Sequence, residues 1–136
     1  MEQFWEKIIG PIGEDLQRPG VLDTPKRASE AYKFLKHRYH LDLWIITSDA
    51  LFPSNSREMV LFQDIELYSA CEYYFLPFVG RYYVTYLPQS KVLGLSKVAQ
   101  IVDIFARRLQ IQDQLTLQIA KSIQEVKGAR GVGVII

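Results

Sequence analysis

Apolar positions along the chain fall into two periods that change at about residue 58. From Thr24 the spacing is helical: Ala28, Ala31, Tyr32 and Leu35 share one face, Thr24 is a suitable N-cap, and Pro25 suits the first helical position. Gly10-Pro11 and Pro19-Gly20 punctuate the segment before it, and Phe52-Pro53-Ser54-Asn55-Ser56 reads as a loop. Residues 59–67 and 78–87 are rich in β-branched and aromatic side chains and predict two strands, with a turn at 88–91. The helical period then returns. Ser96 opens a helix with Val98, Ile101, Val102 and Phe105 on one face. A second helix is predicted from about 112 to 126, with Leu115, Ile119 and Ile123 four apart and Gly128 at its C-terminal end. A last strand covers 132–136. The order helix, strand, strand, helix, helix, strand predicts an α+β fold: an antiparallel sheet with two helices on one face, preceded by N-terminal helices. We divide it into an N-terminal helical segment, 1–57, and a sheet-bearing core, 58–136, within a single domain overall.

A length of 136 residues suits one domain, and with 49% apolar residues it can build a core. The net charge of +1 gives no general attraction to nucleic acid or to an anionic membrane. Cys71 is the one cysteine, so no internal disulfide marks an oxidising compartment. The start MEQFWEKIIGPIGED lacks the basic and apolar regions of a signal peptide, and no stretch approaches the length of a membrane span. The expectation is a cytoplasmic protein. Three strands ending on Ile135-Ile136 would leave free sheet edges. Pairing between copies, and hence a homo-oligomer, is the favoured cover; packing against the chain's own helices is the alternative. Tyr82, Tyr83 and Tyr86 read first as sheet packing and second, with Tyr73, Tyr74 and Phe75, as a stacking floor for a planar heterocycle.

Four segments occur in an order and spacing that resemble the GTP cyclohydrolase I family. They are Gly13-Glu14-Asp15 with 22–27, 68–72 with Leu76-Pro77-Phe78 and Gly80, 91–97, and 105–112. The resemblance runs from about residue 13 to the end. It implies the tunnelling fold, whose subunit sheets join around a ring, with active sites between subunits and a role in pterin and tetrahydrofolate biosynthesis. The fourth strand of that fold is expected to be missing from the chain.

The reaction implied by the resemblance is opening of the guanine imidazole ring by zinc-activated water, with two cysteines and a histidine as ligands. Cys71 matches the first cysteine. Where the family reads Cys-Glu-His-His, this chain reads Cys71-Glu72-Tyr73-Tyr74. Tyr74 stands at the ligand histidine and Tyr73 at the histidine that moves protons. A protonated phenol is a poor zinc ligand and replaces imidazole in neither task. The second cysteine lies in a family segment beyond Ile136. His37 and His40, the remaining histidines, read as a solvated helix end, and Arg107-Arg108 as a solvated helix face.

On the binding side, Ser96 and Lys97 match residues that hold the triphosphate, with an N-cap and a surface lysine as the plain alternative. Gln100 stands where the family has an arginine. Gln112-Asp113 matches the pair that reads the guanine edge, so with Glu72 these are the substrate-binding candidates for a purine nucleotide or pterin. The expectation is therefore a non-hydrolytic relative that has lost its metal site and needs no cofactor, zinc entering only where other ligands complete the site. Its partners would be copies of itself or a full-length paralogue. Two alternatives stand beside it: a metal-independent enzyme using Glu72, Tyr73, Tyr74 and Lys97, and retained cyclohydrolase activity with unusual ligands.

Overall fold

The computed structural model describes residues 1–126 and 129–136, in two compact units, 1–37 and 38–136. Gly128, expected at a helix end, lies outside the described residues.

The first unit is a pair of helices, α1 (Glu2–Ile9) and α2 (Thr24–Leu35). Trp5 lies 5.0 Å from Tyr32, ring centre to ring centre. Ile9, Val21, Pro25 and Ser29 are buried. Asp23, not Thr24, occupies the N-cap position, and Pro25 sits in the first turn as its fixed φ favours. The buried face also differs from the expected one, since Ala31 and Leu35 are exposed. A polar residue, Ser29, takes the place that apolar periodicity assigned elsewhere.

The second unit begins within the 3₁₀ turn His37–His40 and continues with the short helix α3 (Leu43–Thr47), whose first turn is fixed by Asp42 accepting from the Trp44 amide at 2.9 Å. Then come β1 (Leu51–Pro53), β2 (Val60–Cys71), β3 (Pro77–Pro88), β4 (Lys91–Leu93), α4 (Leu95–Ala106), β5 (Leu109–Gln110), α5 (Gln112–Glu125) and β6 (Ala129–Ile135). The main sheet has the order β5-β2-β3-β6; β1 and β4 form a separate antiparallel pair. Within the main sheet β2–β3 and β3–β6 are antiparallel and β2–β5 parallel. The α+β arrangement of the sequence pattern is thus observed, with three short strands added. Part of the expected loop at 52–56 is β1, paired Leu51↔Leu93 to Pro53↔Lys91. A strand of three residues is too short to display a period of two.

One sheet face carries both long helices. Val98, Ile101, Val102 and Phe105 of α4 and Leu115, Ile119 and Ile123 of α5 are buried with Leu67, Tyr82, Val84 and Tyr86. The Tyr86 hydroxyl accepts from the Leu93 amide at 3.0 Å and so ties β4 to the sheet. Tyr82 and Tyr86 are core residues, while Tyr83 points to the other face with Leu61, Tyr68, Val79 and Ile135, all exposed. On that open face Asp64, at a β-bulge with φ 59°, pairs with Arg81. No helix of the described residues is long and apolar enough to cross a membrane.

Burial, aided by the Asp103 carboxylate, pushes the Tyr82 phenol up to about 12. A phenol raised above its unfolded value near 10 keeps its proton longer when folded, so its contribution is complete below pH 10 and is lost as pH rises through 12. Denaturant titrations of the wild type are expected to lose roughly 2 kcal/mol between those limits. Tyr82→Phe is expected to flatten that slope.

Candidate functional site

β2 continues four residues past its expected end, through buried Ser69 and Ala70, and delivers Cys71 to the edge of a tight turn. The Cys71 amide donates to the Leu76 carbonyl at 2.8 Å, and the Phe75 amide to the Cys71 carbonyl at 2.9 Å. Phe75 takes a left-handed conformation, φ 58°, to close the loop. The side chains between are pushed outward: Tyr73 is 68% exposed and Tyr74 75%, their rings edge to face at 6.4 Å. Glu72 is exposed and Cys71 is a free, half-buried thiol.

β5 brings a second segment to this turn. Leu109 and Gln110 pair with Ala70 and Cys71, and the Glu72 amide donates to the Gln110 carbonyl at 3.1 Å. The Gln110 side chain is buried and holds the corner, donating to the Phe105 carbonyl and to Gln118 Oε1, both at 2.9 Å. A buried amide needs such partners, since an unpaired one would carry its full desolvation cost. Two residues on, α5 begins. Gln112 Nε2 donates to the Ile136 carbonyl at 2.8 Å, which joins the helix start to the chain beyond β6. Asp113 is exposed in the first turn of α5, where a carboxylate complements the helix dipole. The structure therefore gathers Cys71, Glu72, Gln112 and Asp113 around one corner, with Tyr73 and Tyr74 on its rim.

It does not gather Ser96 and Lys97 there. They lie in the first turn of α4, which reaches the corner only at its other end, through Phe105 and the β5 segment. At about 1.5 Å per residue, Ser96 and Lys97 lie roughly 12–14 Å along α4 from the Phe105 end that meets the corner. Ser96 is not the helix cap. Gly94 is, packed so that a Cβ there would lie in van der Waals contact with the Phe52 ring at 3.4 Å. Ser96 is exposed, Lys97 half-buried, and Gln100 one turn on is half-buried.

Two residues behind the corner depart from expectation. Arg107 and Arg108 are not a solvated face. Arg107 pairs with Asp103 at 3.0 Å, and Asp103 also takes Arg38 at 2.9 Å. The Arg108 guanidinium lies 5.1 Å from the Phe105 ring centre and 5.9 Å from that of Tyr39. Tyr39 in turn accepts from the Leu109 amide at 2.8 Å, so this cluster anchors β5 and the corner it forms. Sequence reading gave neither Gln110 nor Tyr39 a role of its own; both are polar residues whose part appears only once β5 is in place.

A catalytic zinc requires three protein donors in a tetrahedral arrangement with one open position. Among the described residues no group of three or more His, Cys, Asp or Glu side chains converges in that way. His37 and His40 are exposed on the 3₁₀ turn. One thiol flanked by two outward phenols does not fit that ion.

The GTP cyclohydrolase I family model matches the chain over residues 1–136. The GTP cyclohydrolase 1 of Pseudoalteromonas translucida is 57% identical over all 136 residues, which span 74% of that relative. A GTP cyclohydrolase 1 of Pseudomonas putida is 56% identical over the whole chain and 72% of its own length, and that of Methylococcus capsulatus is 52% identical over the whole chain and 74% of its own. With its sheet, its two helices and the Cys71 corner in place, and with identity at this level along the whole chain, the chain belongs to the GTP cyclohydrolase I family.

Proposed function

We propose that this family member acts as a non-hydrolytic subunit in pterin metabolism, without zinc-dependent opening of the guanine ring. The observation that carries this reading is the exposed pair Tyr73-Tyr74 beside Cys71. The resemblance puts a metal ligand and a proton carrier at those two positions, and phenols supply neither. The turn that would present them is built and hydrogen-bonded, so the scaffold persists while its chemistry has changed.

The binding side supports a retained ligand. Glu72 and Asp113 leave carboxylates free at the corner for the donor edge of a purine or pterin. Ser96 and Lys97 offer a hydroxyl and a cation for an anionic tail. Because α4 separates them, a ligand meeting both sets draws on two copies, or on one copy and a longer relative. The open sheet face, with Leu61, Tyr68, Val79, Tyr83 and Ile135 exposed, favours the same conclusion. No observation favours the metal-independent alternative: within one chain Lys97 is not brought to Glu72, Tyr73 and Tyr74.

Purified protein supplied with zinc and GTP is expected to give no dihydroneopterin triphosphate and to retain far less than one zinc per chain by elemental analysis. Product formation together with one zinc per chain would sink the proposal and establish cyclohydrolase activity with unusual ligands. Native mass is expected at a multiple of 15.7 kDa.

A further inference from the structure

The helix pair of the first unit holds a cleft of about 270 Å³ that the proposed function does not use. Its walls are Met1, Glu2 and Gln3 from the start of α1, and Ser29 and Lys33 from α2. Ser29 and Lys33 are four residues apart and so share one face of α2. Ser29 is 1% exposed, yet its hydroxyl has no hydrogen-bond partner within the protein. A buried hydroxyl without a partner is costly, and such groups are nearly always satisfied by something. The start of α1 adds backbone donors. Phe4 and Trp5 both donate to the Met1 carbonyl, while the N–H groups of Glu2 and Gln3 precede any acceptor within the helix. Lys33 brings a cation. The Glu2 carboxylate opposes an anion, but it is exposed and screened by solvent.

We propose that this cleft binds the phosphate or carboxylate group of a small molecule. The Ser29 hydroxyl and the first-turn amides of α1 donate to its oxygens, and Lys33 balances its charge. Donors, helix dipole and ammonium all act on one sign of charge. The site is built from residues of the first unit alone and shares none with the Cys71 corner, so its occupancy does not depend on whether the chain opens guanine rings.

Calorimetric titration of the full chain with inorganic phosphate and, separately, with acetate tests this, with sodium chloride at matched ionic strength as control. Saturable binding of phosphate, of acetate or of both, absent with chloride, is the expected result, and the stronger of the two identifies the source. Lys33→Gln and Ser29→Ala are each expected to weaken that binding by about tenfold or more, the loss of one hydrogen bond to a charged group. Ser29→Ala separates a ligand role from a structural one. Replacing an unpaired buried hydroxyl by a methyl is expected to hold or raise the melting temperature while binding falls. Absence of binding to either anion, unchanged affinity in both variants, or a lowered melting temperature for Ser29→Ala would overturn the proposal.

Discussion

Leu115→Ala is expected to lower the free energy of unfolding by about 2–5 kcal/mol, the range for a large buried side chain cut to a methyl. Leu115 is 0% exposed on α5 and belongs to the cluster that includes Val98, Ile101 and Ile119 and, from the sheet, Val84 and Tyr82. The cost has two parts. Apolar surface returns to a cavity instead of to packed neighbours, and those neighbours close the gap only in part. Two observations place the effect at the upper half of that range. The sheet behind α5 is fixed on both sides by β2–β3 and β3–β6 pairing, and α5 itself is held by packing on β6. Neither can shift far toward a void. Leu117→Ala, two residues away and 51% exposed, is the control and is expected to change stability by no more than about 0.5 kcal/mol. Equilibrium urea unfolding measures both. Equal effects at the two positions would mean that α5 packs in another register.

That contrast also marks what the sequence made legible. The faces of α4 and α5 were readable because each repeats over three turns, long enough for a period of 3.6 to stand out: Val98, Ile101, Val102 and Phe105, then Leu115, Ile119 and Ile123, are all buried. The two long strands were readable from their β-branched and aromatic content, but their joined ends were not. Tyr68, Ser69, Ala70 and Cys71 carry two small residues with little strand preference; the first three are held extended by Val79, Phe78 and Pro77 across the ladder, and Cys71 by Gln110 of β5. β1, β4 and β5 have two or three residues each, below the length at which any period exists. α2 misled in a different way. Its buried face includes Ser29, which apolar counting places outside the core.

For the site, residue identities were legible and placement was not. Cys71-Glu72 and Gln112-Asp113 are about 40 positions apart, and only the parallel pairing of β5 with β2 brings them together. Ser96-Lys97, closer to Asp113 in sequence, are carried away by the length of α4. The arginine pair was misread on two counts: Asp103, four residues before Arg107 on α4, was not taken as its partner, and Tyr39 reaches Arg108 from a 3₁₀ turn that no periodicity announces.

Tyr74→His is expected to leave zinc binding too weak to survive dialysis against a mild chelator, and that result bears directly on what the corner can do. The substitution restores an imidazole next to a thiol on a turn already ordered by the Cys71–Leu76 and Phe75–Cys71 hydrogen bonds. It raises the number of soft or borderline donors from one to two, and a tetrahedral catalytic site takes three plus water. Glu72 is the nearest further donor in sequence, but it is exposed on the same turn, and its backbone is pinned to Gln110. Two donors leave the ion mostly hydrated, so most of the affinity that full coordination provides is forgone. Such an ion also keeps its water close to the acidity of free aqueous zinc, far from the value near 7 that makes hydroxide at neutral pH. Turnover of GTP is therefore expected to stay absent in Tyr74→His and in the double variant Tyr73→His/Tyr74→His. Cys71→Ala, tested in the wild-type background, is expected to change neither metal content nor ligand binding, because a thiol that holds no ion has no ion to lose. Elemental analysis after dialysis reads all of these variants. One tightly held zinc per chain in Tyr74→His would show that the missing donor comes from another copy, and would turn the corner from a relic into a site one substitution away from activity.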